Sequence, residues 1–337
     1  MEVINNELVP FNDIWYLDCF RHGLAQIAYT NGFLMELFEN DYFEYVFNFE
    51  DGRPNLKMET RSFVRWEEIF LKNGVAVQWT DSCENCLPEL QAHLRAGSHV
   101  LLPVDCFYEN IRPDTFNKEH VLHYMLLCGF DDNTEEFLIL EHNYENDLRY
   151  KHKRIEFDSA IQAHNASKHL HPSGLCKCVV FKGGTQNKLI NADNTVNVFN
   201  GVKAFLRSLN DLKKFVEYFC EIEITPDNER AYLDFYKSMF EKVYAAKKYQ
   251  SYFYDYILQS RETQLLKEFT SLGSFNDWAI IIGMFLRCLI RNEISIGFVD
   301  KINKILHRVI EKENEWKKVF CDAGDIENNK GRFEKAF

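Results

Sequence analysis

Two neighbouring segments are the strongest indication of the fold: Leu122-His123-Tyr124-Met125-Leu126-Leu127-Cys128-Gly129-Phe130 and Phe137-Leu138-Ile139-Leu140-Glu141. Both segments are short and apolar and are bounded by polar residues, which is typical of buried β-strands. Between them, Asp131-Asp132-Asn133-Thr134 has the composition of a tight turn. The sequence therefore predicts a hairpin that carries His123 near the start of its first strand and Glu141 at the end of its second.

The segments around this hairpin have either the apolar pattern of a strand or that of a helix. Residues 100–105 and 178–181 are further apolar runs of strand length, whereas residues 20–37 and 87–96 have apolar positions at helical spacing. Pro88 and Gly97 supply start and stop signals for the shorter helix. The first half of the chain is therefore predicted to be an α+β domain.

The second half lacks strand signals. Its apolar residues follow helical spacing in four long segments, at residues 196–219, 229–258, 274–291 and 298–320. We predict two domains, an α+β domain over residues 1–184 and an all-helical domain over residues 185–337, joined near residues 183–194.

Composition and charge narrow the class of protein. The 337 residues are 46% hydrophobic and 15% aromatic, which is enough apolar surface for packed cores. The net charge of −12 and the lack of a basic tract argue against a nucleic-acid partner. The charge is uneven: residues 1–184 contain 29 acidic and 16 basic side chains, and residues 185–337 contain 22 and 23.

The N-terminus and the cysteines predict the cellular setting. Residues 1–7 lack the basic and apolar regions of a secretory signal, and no apolar run reaches the length of a membrane span. Ten cysteines are too few for a disulfide scaffold of this length. We therefore expect a cytoplasmic protein with reduced thiols and no membrane association.

One cysteine and one histidine have positions that suit nucleophilic catalysis. Cys19 lies at the beginning of the first predicted helix, where the helix dipole favours the thiolate. His123 opens a strand, and the next strand ends in Glu141-His142-Asn143. This order matches a nucleophile, a general base and a group that orients the base, with Glu141 or Asn143 in the third role. The alternative is a buried structural cysteine and an unrelated histidine.

Two parts of the sequence resemble a known family. They are Asp18-Cys19-Phe20-Arg21-His22-Gly23 with the helix that follows, and the segments at residues 102–108, 120–132 and 137–141. This pattern resembles the N-terminal domain family of the butirosin-biosynthesis acyltransferase, which has a papain-like (cysteine-peptidase-like) fold. The resemblance covers about residues 10–150 and leaves the helical half unassigned.

The resemblance implies a role for several residues. Cys19 would be the acyl-accepting nucleophile, His123 its general base and acid, and Glu141 the orienting group where the family has Asp. Asp105 and Tyr108 would lie at the substrate-binding end of the site. Papain-like enzymes carry a Gln six residues before the cysteine as an oxyanion donor, and this chain has Asp13 there. The backbone N–H of Cys19 and the side-chain amide of Asn12 would therefore stabilise the oxyanion.

The implied activity is an acyl transfer that forms an amide in specialised-metabolite (antibiotic) biosynthesis. An acyl group on the phosphopantetheine arm of an acyl or peptidyl carrier protein would pass through Cys19 to an amine acceptor, without a bound cofactor. An amide synthetase of the closthioamide type would suit the aromatic content. The alternatives are a cysteine hydrolase (amidase, peptidase or thioesterase) and a non-catalytic binding module of the same fold.

Charge suggests where such partners would bind. A carrier protein is acidic, so it would dock on the near-neutral helical half, at lysine pairs, whereas a cationic amine would approach the acidic half. The pairs are Lys213-Lys214, Lys247-Lys248 and Lys317-Lys318.

The remaining patterns are typical of structural roles. Cys83-x-x-Cys86 with Cys176-x-Cys178 has poor spacing for zinc. His120 and His123 would share a face only on a helix, but the residues that follow them predict a strand, so we expect no metal site. The histidines at 152, 164, 169 and 171 were assigned to a solvated connector. The aromatic cluster between Tyr244 and Tyr256 was assigned to the core, with the lining of an acyl pocket as the alternative.

Overall fold

The structure is a computed structural model that describes residues 2–15, 18–81, 86–142, 149–170, 177–183, 195–222, 225, 228–260, 274–291, 294 and 297–322. The chain divides into two compact units. We call Met1–Leu37 with Val64–Ala192 the sheet unit, and Phe38–Phe63 with Asp193–Phe337 the helical unit. The division at residue 184 missed the segment Phe38–Phe63, which belongs with the helices.

The strands, in chain order, are β1 (Val3–Asn5), β2 (Asp41–Glu50), β3 (Arg53–Ser62), β4 (Ala76–Asp81), β5 (His99–Asp105), β6 (Leu122–Asp131), β7 (Glu136–His142), β8 (Tyr150–Glu156) and β9 (Lys177–Lys182). The helices are α1 (Cys19–Thr30), α2 (Leu34–Glu39), α3 (Trp66–Lys72), α4 (Leu87–Arg95), α5 (Phe157–Ser167), α6 (Thr195–Cys220), α7 (Glu229–Ser260), α8 (Phe275–Arg291) and α9 (Phe298–Asp322). A single 3₁₀ turn, Cys106–Tyr108, follows β5. The fold is therefore α+β, as predicted. No helix in the described part of the chain has the length and apolar character needed to cross a membrane.

The sheet unit is built on an antiparallel sheet of seven strands, in the order β4-β9-β5-β6-β7-β8, with β1 paired to β6. The predicted hairpin is confirmed: β6 pairs with β7 from Leu126↔Leu140 to Asp131↔Glu136. Its turn is closed by the Asp131 carboxylate, which accepts hydrogen bonds from the backbone and side-chain nitrogens of Asn133.

The apolar core of the sheet unit explains why these strands are almost continuous apolar runs. Residues of β5, β6 and β7 pack with α4 and α5 in one cluster that includes Leu90, Leu94, Leu102, Leu127 and Ala160. Each is 3% exposed or less, so each large side chain stabilises the fold by about 1.5–3 kcal/mol. This core fixes the strands that carry His123 and Glu141.

The first predicted helix is divided in two. Residues 20–37 were expected to be continuous, but α1 ends at Thr30 and α2 begins at Leu34. Gly32 between them has φ +79°, a left-handed conformation that ends a helix. Leu24, Ile27 and Ala28 form the buried face of α1, which packs against β6.

The helical unit combines the four predicted long helices with the β2–β3 hairpin. Phe253 of α7 is fully buried, and its ring lies 5.6 Å from that of Phe38 and 5.5 Å from that of Phe43. The Tyr249 ring packs on Phe43 at 5.6 Å. The described rings between residues 244 and 256 thus contribute to the core of this unit, whereas Tyr252 is 53% exposed.

A buried ion pair also lies in the helical unit. Nζ of Lys247 is 2.8 Å from Oε1 of Glu313, and both side chains are at most 4% exposed. Tyr45 and Ser274 donate hydrogen bonds to the same carboxylate. Lys247 is therefore unable to serve as the exposed docking cation that the sequence suggested, because its charge is neutralised in the core.

Candidate active site

The predicted nucleophile lies at the beginning of a helix. Cys19 is the first residue of α1 and is partly exposed. Asp18 precedes it in an extended conformation, and the Asp18 carboxylate accepts a hydrogen bond from the backbone N–H of Arg21. This N-cap starts the helix at Cys19, because it satisfies one of the N–H groups that the first turn leaves without an intrahelical partner.

His123 and Glu141 form a buried pair across the hairpin. Nε2 of His123 lies 2.8 Å from Oε2 of Glu141, and the two residues are 3% and 0% exposed. The other carboxylate oxygen, Oε1, accepts the backbone N–H of His142 at 2.8 Å. Glu141 therefore occupies the orienting position, while the competing candidate, Asn143, lies outside the described residues.

Cys19 completes the arrangement. The Cys19 side chain is close enough to the His123 imidazole to raise the pKa of that ring as a hydrogen-bond partner. Because Nε2 is taken by Glu141, Nδ1 is the ring nitrogen left for Cys19. A thiol, an imidazole and a carboxylate joined in this order can form and stabilise a thiolate nucleophile.

The electrostatics favour a charged imidazole. Burial lowers the pKa of His123, but the Glu141 carboxylate, the bond to Cys19 and the nearby Glu109 outweigh burial and hold that pKa well above its ordinary value. Burial likewise raises the pKa of Glu141, and the His123 imidazole reverses the effect, so the pKa of this carboxyl is low. The pair is therefore an imidazolium and a carboxylate at neutral pH, with Nε2–H as the donor.

Glu109 is a fully buried carboxyl close to this pair, and sequence patterns did not predict it. It follows the 3₁₀ turn after β5. Burial raises the pKa of Glu109, Glu141 raises it further, and His123 and Arg112 act in the opposite direction. Glu109 is thus a second acidic group in the field of the imidazolium. It lay within a polar loop without periodicity, so no sequence signal identified it.

An aromatic cluster borders the site. The His22 ring, one helical turn after Cys19, stacks on Trp15 at 4.7 Å and lies 4.5 Å from the Tyr150 ring. The His142 ring contacts those of His123 at 5.5 Å and Tyr150 at 5.6 Å.

Both histidines of this cluster are electrically neutral. Burial, with a contribution from His142, lowers the pKa of His22 to about 3. Burial also lowers the pKa of His142 to about 4, against the opposing effect of Glu141. Only His123 is therefore charged among the three imidazoles at neutral pH.

The predicted oxyanion residue Asn12 has another set of partners. Its Oδ1 accepts the backbone N–H of Tyr150 at 2.6 Å, and its Nδ2 donates to the Tyr150 carbonyl at 3.1 Å. Asn12 therefore fixes the first residue of β8. The exposed Asp13 is beside it in sequence.

Asp105 and Tyr108 lie at the end of β5. The Asp105 carboxylate accepts hydrogen bonds from Nδ1 of His120 at 2.7 Å and from the backbone of Phe107 at 3.1 Å. The Tyr108 side chain packs on the apolar core of the sheet unit, and its carbonyl accepts a bond from Ser159. These contacts give both residues a role in shaping the loop after β5.

Among the residues that the structure describes, one group could hold a metal ion. The ligand atoms of His123, Glu141 and His142 all lie within 4.8 Å of one another. Two histidines and a carboxylate are a donor set that zinc accepts. In this structure, however, His123 and Glu141 are already hydrogen-bonded to each other.

Two of the four cysteines considered as zinc ligands lie in the described part of the chain. Cys86 and Cys178 are buried in the apolar core, and Cys83 and Cys176 lie outside the described residues. His164 is not in a solvated connector as predicted: it is buried on α5, where Nδ1 lies 2.7 Å from the Pro103 carbonyl. His152 has a backbone partner, the carbonyl of Leu8 at 3.0 Å.

Neither a protein-family profile nor a curated protein matches this sequence. The class that the observations define is an α+β protein with a Cys-His-Glu arrangement. The family resemblance stays a prediction.

Proposed function

We propose that this protein is a cysteine-dependent acyltransferase that forms an amide bond. The observation that carries the proposal is the buried hydrogen bond between His123 and Glu141, with Cys19 close enough to raise the pKa of the His123 imidazole. A helix that begins at the cysteine, followed by an antiparallel sheet that carries the histidine and the acid, also supports a papain-like fold for the sheet unit.

The first step would acylate Cys19. The Cys19 thiolate attacks the carbonyl carbon of an acyl thioester, a carbon–sulfur bond forms, and the carbonyl electrons move to oxygen. When the tetrahedral intermediate collapses, the bond to the donor sulfur breaks, and the His123 imidazolium gives its proton to that sulfur. Glu141 holds the ring in position and stabilises its charged form.

The second step would release the product. An amine attacks the Cys19 thioester, and the now neutral His123 takes the proton that the nitrogen loses. Collapse of this intermediate forms the amide and expels the Cys19 thiolate, which restores the starting ion pair. The fully buried Glu141 and the nearly buried His123 limit access of water from their side.

Hydrolysis is the second candidate, because water could replace the amine in the same steps. The triad geometry supports both reactions, and the resemblance in sequence favours transfer. A binding module without catalysis has less support, since the thiol, the imidazole and the carboxylate are all present and close together.

A carrier protein is the proposed donor, and a cationic amine the proposed acceptor. The exposed pair Lys213 and Lys214 on α6 replaces Lys247 as the leading docking site. A positive patch on the helical unit would attract an acidic carrier. The side chains of Lys317 and Lys318 lie outside the described part of the structure.

Intact-mass spectrometry tests this function. The protein is incubated with the benzoyl thioester of N-acetylcysteamine, a small mimic of a phosphopantetheine arm. We expect one benzoyl adduct on the wild type and none on Cys19→Ala, with Cys220→Ala as the control because Cys220 is an exposed cysteine. Added diamine should convert the adduct to benzamide faster than water converts it to benzoate. Absence of any adduct, or an adduct that persists in Cys19→Ala, would contradict covalent catalysis.

A further inference from the structure

The proposed reaction needs hydrogen-bond donors for the oxyanion, and the expected side chain is engaged elsewhere. Asn12 pairs with the backbone of Tyr150 through both its oxygen and its nitrogen. Asp13 is not a donor when ionised. The first-turn N–H of Cys19 is suitably placed, since a helix start leaves such groups without an intrahelical partner. A second donor is needed for full stabilisation.

Tyr150 has an unused donor in this region. The residue is 2% exposed, and its hydroxyl has no hydrogen-bond partner in the described part of the chain. A buried hydroxyl without a partner costs about 1–3 kcal/mol. Such a group calls for an explanation, and donation to a reaction intermediate is one.

The Tyr150 ring packs against rings from two parts of the active site. It lies 4.5 Å from the ring of His22, which shares a face of α1 with Cys19 because it is three residues further on. It also lies 5.6 Å from the ring of His142, which in turn contacts that of His123 at 5.5 Å. Tyr150 therefore connects the helix of the nucleophile with the strand of the acid.

We propose that the Tyr150 hydroxyl is an oxyanion donor, which acts with the backbone N–H of Cys19 on the tetrahedral intermediates of both steps. This assignment rests on the proposed acyl transfer. It makes Asn12 a positioning residue, because the two hydrogen bonds of Asn12 hold the backbone of Tyr150 in place.

The protonation state suits this role. Burial, together with the charges of Glu141 and Cys19, raises the pKa of Tyr150 well above its ordinary value. The phenol therefore keeps its proton throughout the working pH range and is available to donate. A donor that is already fixed by packing needs no reorganisation when the oxyanion forms.

The test compares two reactions of Cys19, of which only one forms an oxyanion. Acylation by the benzoyl N-acetylcysteamine thioester passes through a tetrahedral intermediate, whereas alkylation by iodoacetamide is a direct displacement at carbon. We expect Tyr150→Phe to slow acylation on the order of 100-fold, the usual effect of removing one oxyanion donor. Alkylation should change less than about twofold, since the thiol and His123 are untouched.

The matched control is Tyr236→Phe, which removes a buried hydroxyl that also has no partner among the described residues, in the helical unit. It should leave both rates unchanged. Should Tyr150→Phe fail to fold, Asn12→Ala serves as the second variant, and it should slow acylation and spare alkylation.

Two results would overturn the assignment: acylation of Tyr150→Phe at the wild-type rate, or an equal loss in both reactions, which would mean that Tyr150 only positions Cys19 and His123. A wild type that forms no acyl adduct but is alkylated normally would overturn the proposed function, and this assignment with it.

Discussion

Nε2 of His123 and Oε2 of Glu141 lie 2.8 Å apart, although the two residues are 18 positions apart in the sequence. The hairpin explains this contact, since the start of its first strand and the end of its second lie at the same edge of the sheet. Burial makes the contact strong, because a charged pair without water interacts at low dielectric. Breaking it by removing one partner would leave an uncompensated buried charge.

The charge of Glu141 is expected to be essential for catalysis. Glu141→Gln keeps the size and a hydrogen-bonding atom but removes the charge that stabilises the His123 imidazolium. We expect the rate of acylation of Cys19 to fall at least about 100-fold. The control is Glu136→Gln on the same strand, where the carboxylate pairs with Arg154 at the surface and should not affect acylation. An acylation rate within twofold of the wild type for Glu141→Gln would show that another group orients His123.

Acid should destabilise the protein through His22. Because the pKa of His22 is lowered to about 3 by burial and by His142, the folded state leaves it neutral while the unfolded state protonates it below pH 6.5. The unfolded state then binds more protons, so the free energy of unfolding falls as the pH falls. His22→Phe keeps a ring against Trp15 and Tyr150 but cannot be protonated there. Between pH 6.5 and pH 4.5, its free energy of unfolding should fall by about 2 kcal/mol less than that of the wild type.

Urea unfolding at a series of pH values measures this difference. Parallel curves of unfolding free energy against pH for His22→Phe and the wild type would refute the role of His22.

Metal removal should have no effect on the proposed reaction. His123, Glu141 and His142 could chelate an ion, but the mechanism needs Nε2 of His123 to donate to Glu141. We expect acylation of Cys19 to continue at an unchanged rate after dialysis against EDTA, and added Zn²⁺ to inhibit it by competing for the imidazole. Loss of activity in EDTA that Zn²⁺ restores would indicate instead a metal-dependent enzyme.

Charge reversal on α6 should separate carrier docking from chemistry. Lys213→Glu with Lys214→Glu is expected to raise the KM for a carrier-bound acyl donor several-fold, and to leave kinetics with the N-acetylcysteamine thioester unchanged. The comparison variant is Lys301→Glu with Lys304→Glu, which makes the same change of charge on α9. Equal effects of the two double variants, or equal losses with both donors, would argue against a docking site on α6.

Local patterns predicted much of the sheet unit and the helices, but they missed the β2–β3 hairpin. Its signal was present: Asp51-Gly52 joins two strands, and both residues have positive φ, of 51° and 74°. An Asp-Gly pair of this kind is typical of a two-residue hairpin turn. The many aromatic and charged residues of β2 and β3 obscure the alternation of the strands, and the hairpin packs with helices that begin about 130 residues later in the chain.

Local sequence is sufficient to form the elements that carry the site: Asp18 starts α1 at Cys19, and the β6–β7 hairpin brings His123 to Glu141. These outcomes depend on local rules, namely helix capping, strand periodicity and turn chemistry. Tertiary packing, in contrast, places α1 on β6 and brings Cys19 close to His123. It also pairs Asn12 with the backbone of Tyr150 and buries Lys247 and Glu109. Burial and charge depend on what packs around a residue, and those neighbours come from distant parts of the chain.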